Sequence, residues 1–288
     1  VTGSTVGFIG LGNMGSALAA NLVDAGHAVV THDLAGPARS PDGATFVSEL
    51  DEVASRAEVV VLSLPDGNAS AMVLGSLIDA NPSKVTYLID TSTVGLDAAR
   101  ELSTLATGSG VHYIDAPVSG GVAGARARTL AVMYAGTPSA CDAAMPVIEG
   151  LSDRTFRVGE HPGMAQAVKL ANNFLSATAL AATSEAVAFA TAAGVDMATM
   201  LDVINASSGR SAASEDKFVN HVLPGSYSSG FANTLMAKDV DLYLGAVESL
   251  RSPSSLGRLT AEIWHRFADT DTGADFTRIY PFTIDASG

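Results

Sequence analysis

The chain has 288 residues, 47% hydrophobic and only 16% charged, so a sizeable core is available and the composition is that of a folded rather than a disordered chain. That length exceeds one ordinary α/β core and predicts two domains. The formal net charge is −14 with no basic run of the kind that neutralises phosphates, which argues against nucleic acid or an anionic membrane as a partner.

Residues 6–9 form an apolar, β-branched run, and Gly10, Gly12 and Gly15 follow at the spacing G-x-G-x-x-G. Strand, tight turn and helix in that order suit a dinucleotide. The first glycine lets the chain turn, the second lets the backbone approach a pyrophosphate, and the third lets the helix pack on its strand. The turn Gly10, Leu11, Gly12, Asn13, Met14 and Gly15 therefore reads as cofactor-binding, with unpaired amides at the helix start holding phosphates. Asp33 closes the next apolar run, 28–31, eighteen residues after Gly15, where a carboxylate binds a ribose 2′-hydroxyl and repels a 2′-phosphate. NAD is expected, with NADP possible as an alternative.

Further along, helical stretches at 48–55, 69–78, 97–106 and 139–148 alternate with apolar runs at 58–64, 87–89, 112–114 and 130–134. That alternation predicts a mostly parallel sheet covered on both faces, with its ligand beyond the carboxyl ends of the strands. The segments LSLPDGN, DTSTV and DAPVSGG fall at such ends and bring Leu64, Pro65, Ser92, Thr93, Ser119, Gly120 and Gly121 around one crevice. Each alone also reads as an ordinary loop residue, and Thr93 as a helix cap.

Near residues 159–163 the composition turns almost wholly helical, giving domains 1–162 and 163–288. A proline-free stretch from 163 to 193 predicts one long helix, in which Lys169, Asn172 and Asn173 share a face. A polar stripe on so apolar a helix needs partners, and a cleft supplies them. The nearly uncharged segment 174–194 carries Glu185 and is rich in Ala, Ser and Thr, which suits a helix buried in protein better than one in lipid. Helices are expected at 197–205, 214–221, 233–250 and 256–267. Cys141 is the lone cysteine and the six histidines lack ligand spacing, so neither a disulfide nor a metal site is expected. No Lys or Arg precedes Arg39, unlike a secretory signal, so a soluble cytoplasmic protein is expected.

The series GFIGLGNMG, LPDG, DTSTV, DAPVSGG, GMAQAVKLANN and KDVDLYL, in this order, resembles the β-hydroxyacid dehydrogenases, the group that includes 3-hydroxyisobutyrate dehydrogenases. The resemblance runs nearly the whole chain. It implies a Rossmann-type α/β dinucleotide-binding domain followed by an all-α domain, joined by a long interdomain helix, in a homodimer or homotetramer. It also implies Lys169 as the catalytic residue, Ser119, Gly120, Gly121 and Asn173 as substrate-binding, and Lys238 near the cofactor.

Chemistry supports the lysine. Removing a hydride from an alcohol requires the hydroxyl proton to leave as well, so a base must lie within hydrogen-bond reach. An amine acting as that base near neutrality needs its pKa lowered by about 2 to 3 units from about 10.4, which burial can supply. The expected activity is NAD-dependent oxidation of a small 3-hydroxyacid, its substrate a small carboxylate or sulfonate. The alternative is NADPH-dependent reduction of tartronate, succinic or a sulfonated semialdehyde. The chain departs from the family pattern at Arg128, with Arg126 nearby, and at Ala165 after Gly163. Arg128 reads either as a surface residue or as a partner for an unusual anionic group. His32 is expected at the adenine edge or in solvent, and Arg210 in a mobile loop. Val122, Phe231, Met236 and Lys238 with Asp239 are candidates for shaping the substrate pocket.

Overall fold

A computed structural model describes residues 5–285. Its contacts cluster into two units, Val1–Lys169 and Leu170–Gly288, so the division falls inside a helix rather than at the 162/163 boundary read from composition.

The first unit begins β1 (Val6–Ile9), α1 (Asn13–Asp24), β2 (Val29–His32), a short 3-10 turn at Pro37–Arg39, β3 (Thr45–Phe46), α2 (Leu50–Arg56), β4 (Val59–Leu62) and α3 (Gly67–Asp79). It continues through β5 (Tyr87–Asp90), α4 (Leu96–Gly108), β6 (His112–Asp115), β7 (Val118–Ser119), α5 (Gly121–Arg126), β8 (Ala131–Ala135), α6 (Pro138–Leu151) and β9 (Arg154–Gly159). The strands form one sheet in the order β3-β2-β1-β4-β5-β6-β8-β7, with β9 on β8. From β3 to β6 every pairing is parallel, as the alternation of strands and helices requires. Neighbouring residues alternate between faces: Val6, Phe8, Val59 and Val61 pack with Leu18, Leu22 and Val147 on one side, while Ile9, Val60 and Leu62 pack with Val53, Leu74 and Leu102 on the other.

Beyond β6 the mostly parallel expectation meets a local exception, because β8 runs antiparallel to β6 and β7. An apolar run does not encode strand direction, so residues 130–134 could be read as a strand but not oriented.

Helix α7 (Met164–Ala192) contains the boundary. The second unit continues with α8 (Met197–Asn205), a π-helical segment (Ala213–Val222), α9 (Asn233–Ser249), α10 (Ser255–Thr270), a 3-10 turn (Phe276–Arg278) and α11 (Ile279–Asp285). Its core gathers Leu180, Val187, Phe218, Val240, Trp264, Phe267 and Ile279, and the Trp264 indole donates to the Ala177 carbonyl at 3.3 Å. The expectation that the segment after residue 174 is buried holds only for part of its circumference. Although α7 is long and apolar enough to cross a membrane, 28% of its most apolar window is buried, and Leu175 and Phe189 stand 65% and 77% exposed.

Candidate functional site

The sheet order places β1 between β2 and β4, so the chain leaves the carboxyl ends of β1 and β4 toward opposite sides. Such a switch point opens a crevice for a ligand. At the end of β1, Gly10 has φ +94°, and a Cβ there would collide with the Ser63 carbonyl oxygen; a Cβ on Gly15 would collide with the Gly10 carbonyl oxygen. These two glycines are fixed by the protein's own packing. A Cβ on Gly12 would meet nothing within 4 Å, so the open approach there faces outward from the start of α1. The first turn of α1 carries no acidic residue, and its leading amides have no acceptor within the helix. An anionic pyrophosphate fits this arrangement by charge and by space.

Asp33 lies just past β2. One carboxylate oxygen accepts the Leu11 amide at 2.5 Å and the other the Ala35 amide at 2.7 Å, which fixes the carboxylate beside the glycine turn. Arg39 reaches back from the following 3-10 turn and donates to the Asn13 side-chain oxygen at 3.0 Å. His32 is not in solvent. It is buried, contacts the Val47 carbonyl at 3.2 Å and stacks on Phe46, as its register opposite Ile9 demands.

Beyond β4 and β5, the Leu64 amide donates to Ser92 Oγ at 2.8 Å, so the LPDG and DTSTV loops are joined and Leu64, Pro65 and Thr93 lie on connected segments. Beneath them Asp90 is buried, accepting the Ser92 amide at 3.0 Å and the Tyr113 hydroxyl at 3.2 Å. Burial pushes its carboxyl up from the usual range, against the hydrogen bonds from Ser92 and Tyr113. Ser119 ends β7, and Gly120 and Gly121 carry φ of 134° and 70°, backbone conformations that favour glycine. Sequence reading gave DAPVSGG as loop; the structure makes its end a two-residue strand and the start of a short helix.

Lys169 is 8% exposed in the second turn of α7. One turn earlier sits Gln166, fully buried and missed in the sequence. Its side-chain oxygen accepts the Val94 and Gly95 amides, each at 3.1 Å, and its side-chain amide donates to the Ser92 carbonyl at 3.0 Å. Its backbone amide donates to Asp115 Oδ2 at 3.0 Å. Burial pushes the Asp115 carboxyl up to about 7, although amides of Gln166, Gly163 and Ala165 pull the other way. The signal for Gln166 was present as an amide side chain at i−3 from Lys169 in an apolar helix, a position that requires partners.

In the second unit Asn173 is buried and donates to Asp239 Oδ2 at 2.6 Å, and Lys238 Nζ lies 3.5 Å from Asp239 Oδ1. Asn172 is exposed and donates to Asn173 Oδ1 at 3.1 Å, so the expected stripe of three splits between a buried pair and a surface amide. Met236 belongs to the helical core, and Phe231 packs against it.

Arg128, its side chain 29% exposed, is held by the chain itself. Its guanidinium bonds Asp153 at 3.0 Å, the Gly150 carbonyl at 2.9 Å and the Glu149 carbonyl at 3.1 Å, tying down the end of α6. Arg126 is exposed, and Arg210 lies 3.5 Å from Glu215. Among the described residues no group of three or more His, Cys, Asp or Glu could hold a metal ion.

Residues 5–159 match the model of the NAD binding domain of 6-phosphogluconate dehydrogenase, and residues 163–283 match that of the NAD-binding region of NADP-dependent 3-hydroxyisobutyrate dehydrogenase. The chain is 34% identical over 288 residues to the mitochondrial 3-hydroxyisobutyrate dehydrogenase of Drosophila melanogaster, covering 96% of this chain and 88% of that one. It is 32% identical over 265 residues to the 2-(hydroxymethyl)glutarate dehydrogenase of Eubacterium barkeri, covering 90% and 87%. The solved structure of Mycobacterium tuberculosis 3-hydroxyisobutyrate dehydrogenase with L-serine superposes with a TM-score of 0.89 at 31% identity, covering 98% of this chain and 99% of that one.

Proposed function

The chain belongs to the 3-hydroxyisobutyrate dehydrogenase family of NAD(P)-binding oxidoreductases, and on that premise we propose that it oxidises a small 3-hydroxyacid of the 3-hydroxyisobutyrate type to its semialdehyde or ketoacid, with NAD preferred. The observation that carries this reading is Lys169, an amine 8% exposed on the helix whose first turn is fastened to the ends of β5 and β6.

The amides of the Gly10 to Gly15 turn would hold the cofactor's pyrophosphate, Asp33 its ribose hydroxyl, and Leu64, Pro65, Thr93 and Lys238 other parts of it. When bound, NAD supplies the hydride acceptor. The rest of the chemistry belongs to the chain. As hydride leaves the carbinol carbon, the neutral Lys169 amine accepts the hydroxyl proton, and the C–O bond becomes a carbonyl. In the reducing direction the ammonium returns that proton. The Ser119 hydroxyl with the Gly120 and Gly121 amides would bind the substrate carboxylate through uncharged donors, and Asn173, held by Asp239, would orient a substrate oxygen. The family reading also gives a homodimer or homotetramer.

A second reading, NADPH-dependent reduction of a small semialdehyde, has Arg39 in its favour, since its guanidinium reaches the glycine turn. Initial rates with NAD and NADP over 3-hydroxyisobutyrate, L-serine, glycerate, threonate and a sulfonated analogue separate the two. Turnover favouring NAD supports the first reading. A strong preference for NADP(H), with semialdehydes reduced faster than any hydroxyacid is oxidised, supports the second.

A further inference from the structure

The side chain of Gln166 is fully buried and satisfied on both its ends, accepting from two consecutive amides of the DTSTV loop and donating to a carbonyl of the same loop. Its backbone amide is held by Asp115 at the end of β6. Three segments therefore meet at one residue: the loop that follows β5 and carries Thr93, the end of β6, and the first turn of α7. The next turn of that helix carries Lys169. Asp115 accepts an amide at the start of α7, and beyond that cap the Gln166 side chain bonds the first turn across more than seventy residues of sequence to a loop at the ligand end of the sheet.

We propose that Gln166 is a positioning residue that sets the Lys169 amine in register with the cofactor loop after β5, an inference that rests on the assignment of Lys169 as proton acceptor. Both halves of its amide are needed for this. The oxygen fixes the height of the loop through Val94 and Gly95, and the NH2 group fixes its rotation through Ser92. Geometry errors of about 1 Å between reacting groups can lower a rate about 10²-fold, so a register device of this kind bears on kcat more than on substrate affinity.

The test uses the full-length protein with Gln166→Leu and Gln166→Glu. The leucine variant loses all three side-chain bonds. It is expected to bind NAD about tenfold more weakly by calorimetry in the absence of substrate, with kcat down about 10²-fold and the KM for the hydroxyacid changed by less than about threefold. The glutamate variant keeps an acceptor for Val94 and Gly95 but can donate to the Ser92 carbonyl only when protonated. Lys169 and Asp115 titrate alike in both chains, so the kcat of this variant divided by that of the native chain at the same pH is expected to rise as pH falls and the glutamate takes up a proton. Should the leucine variant not fold, the glutamate variant carries the test through its pH profile. A folded leucine variant with native NAD affinity and kcat within about twofold overturns the inference, as does a glutamate variant whose pH profile parallels the native one. Calorimetric NAD binding needs no substrate turnover, so a failure here is distinguishable from a failure of the hydroxyacid assignment.

Discussion

Asp115 shows how a single residue can tie stability to pH. Its carboxyl titrates near 7 instead of 3.8 because it is buried, so the folded chain retains a proton that the unfolded chain has already released. The resulting stabilisation is complete below the unfolded value and is lost as pH rises through about 7. The native chain is therefore expected to melt at a lower temperature at about pH 8 than at about pH 6. Asp115→Asn keeps an oxygen for the Gln166 amide but cannot ionise, and should flatten that difference. Equal slopes in the two proteins would remove Asp115 from the explanation. Asp33 bears on cofactor choice at the same scale. Replacing it with serine removes the negative charge fixed by the Leu11 and Ala35 amides, and should shift the kcat/KM ratio of NADP to NAD upward by about tenfold or more, equivalent to about 1.4 kcal/mol. An unchanged ratio would show that the ribose is read elsewhere.

Among the elements, what the sequence made legible follows from periodicity. Strands β1 and β4 are buried along their length and β5 after Tyr87, so all three read directly as apolar runs, and α8 falls on the expected 197–205. The missed elements lack such a signal. Strand β9, RTFRVG, is half-exposed and punctuated by arginines, and β3 and β7 are two residues each. Of the candidate site, the glycine turn was legible because glycine spacing carries local backbone geometry. Gln166 showed in the sequence only as an amide in an apolar helix; its partners lie 71 to 74 residues away and only the folded sheet brings them near. Helix α7 shows the same limit from its outer side. Leu175, Ala182 and Phe189 are exposed at intervals of seven, a spacing that keeps one apolar line along a helix. For a homo-oligomer this line is the expected contact, and Leu175→Glu with Phe189→Glu should shift the sedimenting species to a smaller one. Unchanged sedimentation of the double variant would assign the contact to another face.

Over the whole molecule, the contacts form two units. The first joins a nucleotide-type crevice to a sheet, the second surrounds Trp264 with helices, and α7 runs from one into the other. The net charge of −14 leaves few cations for anion binding, and Arg128, one of the candidates, is committed to the end of α6. Under the proposed function, uncharged donors at Ser119, Gly120 and Gly121 would therefore bind the substrate carboxylate, and Lys169 would handle the proton. The most direct measurement follows a labelled hydride. The native chain and Lys169→Ala would each be incubated with NAD and 3-hydroxyisobutyrate deuterated at the carbinol carbon, and the nicotinamide product weighed by mass spectrometry. Deuterated product from the native chain, formed about 10² to 10⁴-fold more slowly by the alanine variant with NAD binding retained, is the expected result. No deuterium transfer by the native chain, or transfer at an unchanged rate by Lys169→Ala, would contradict it.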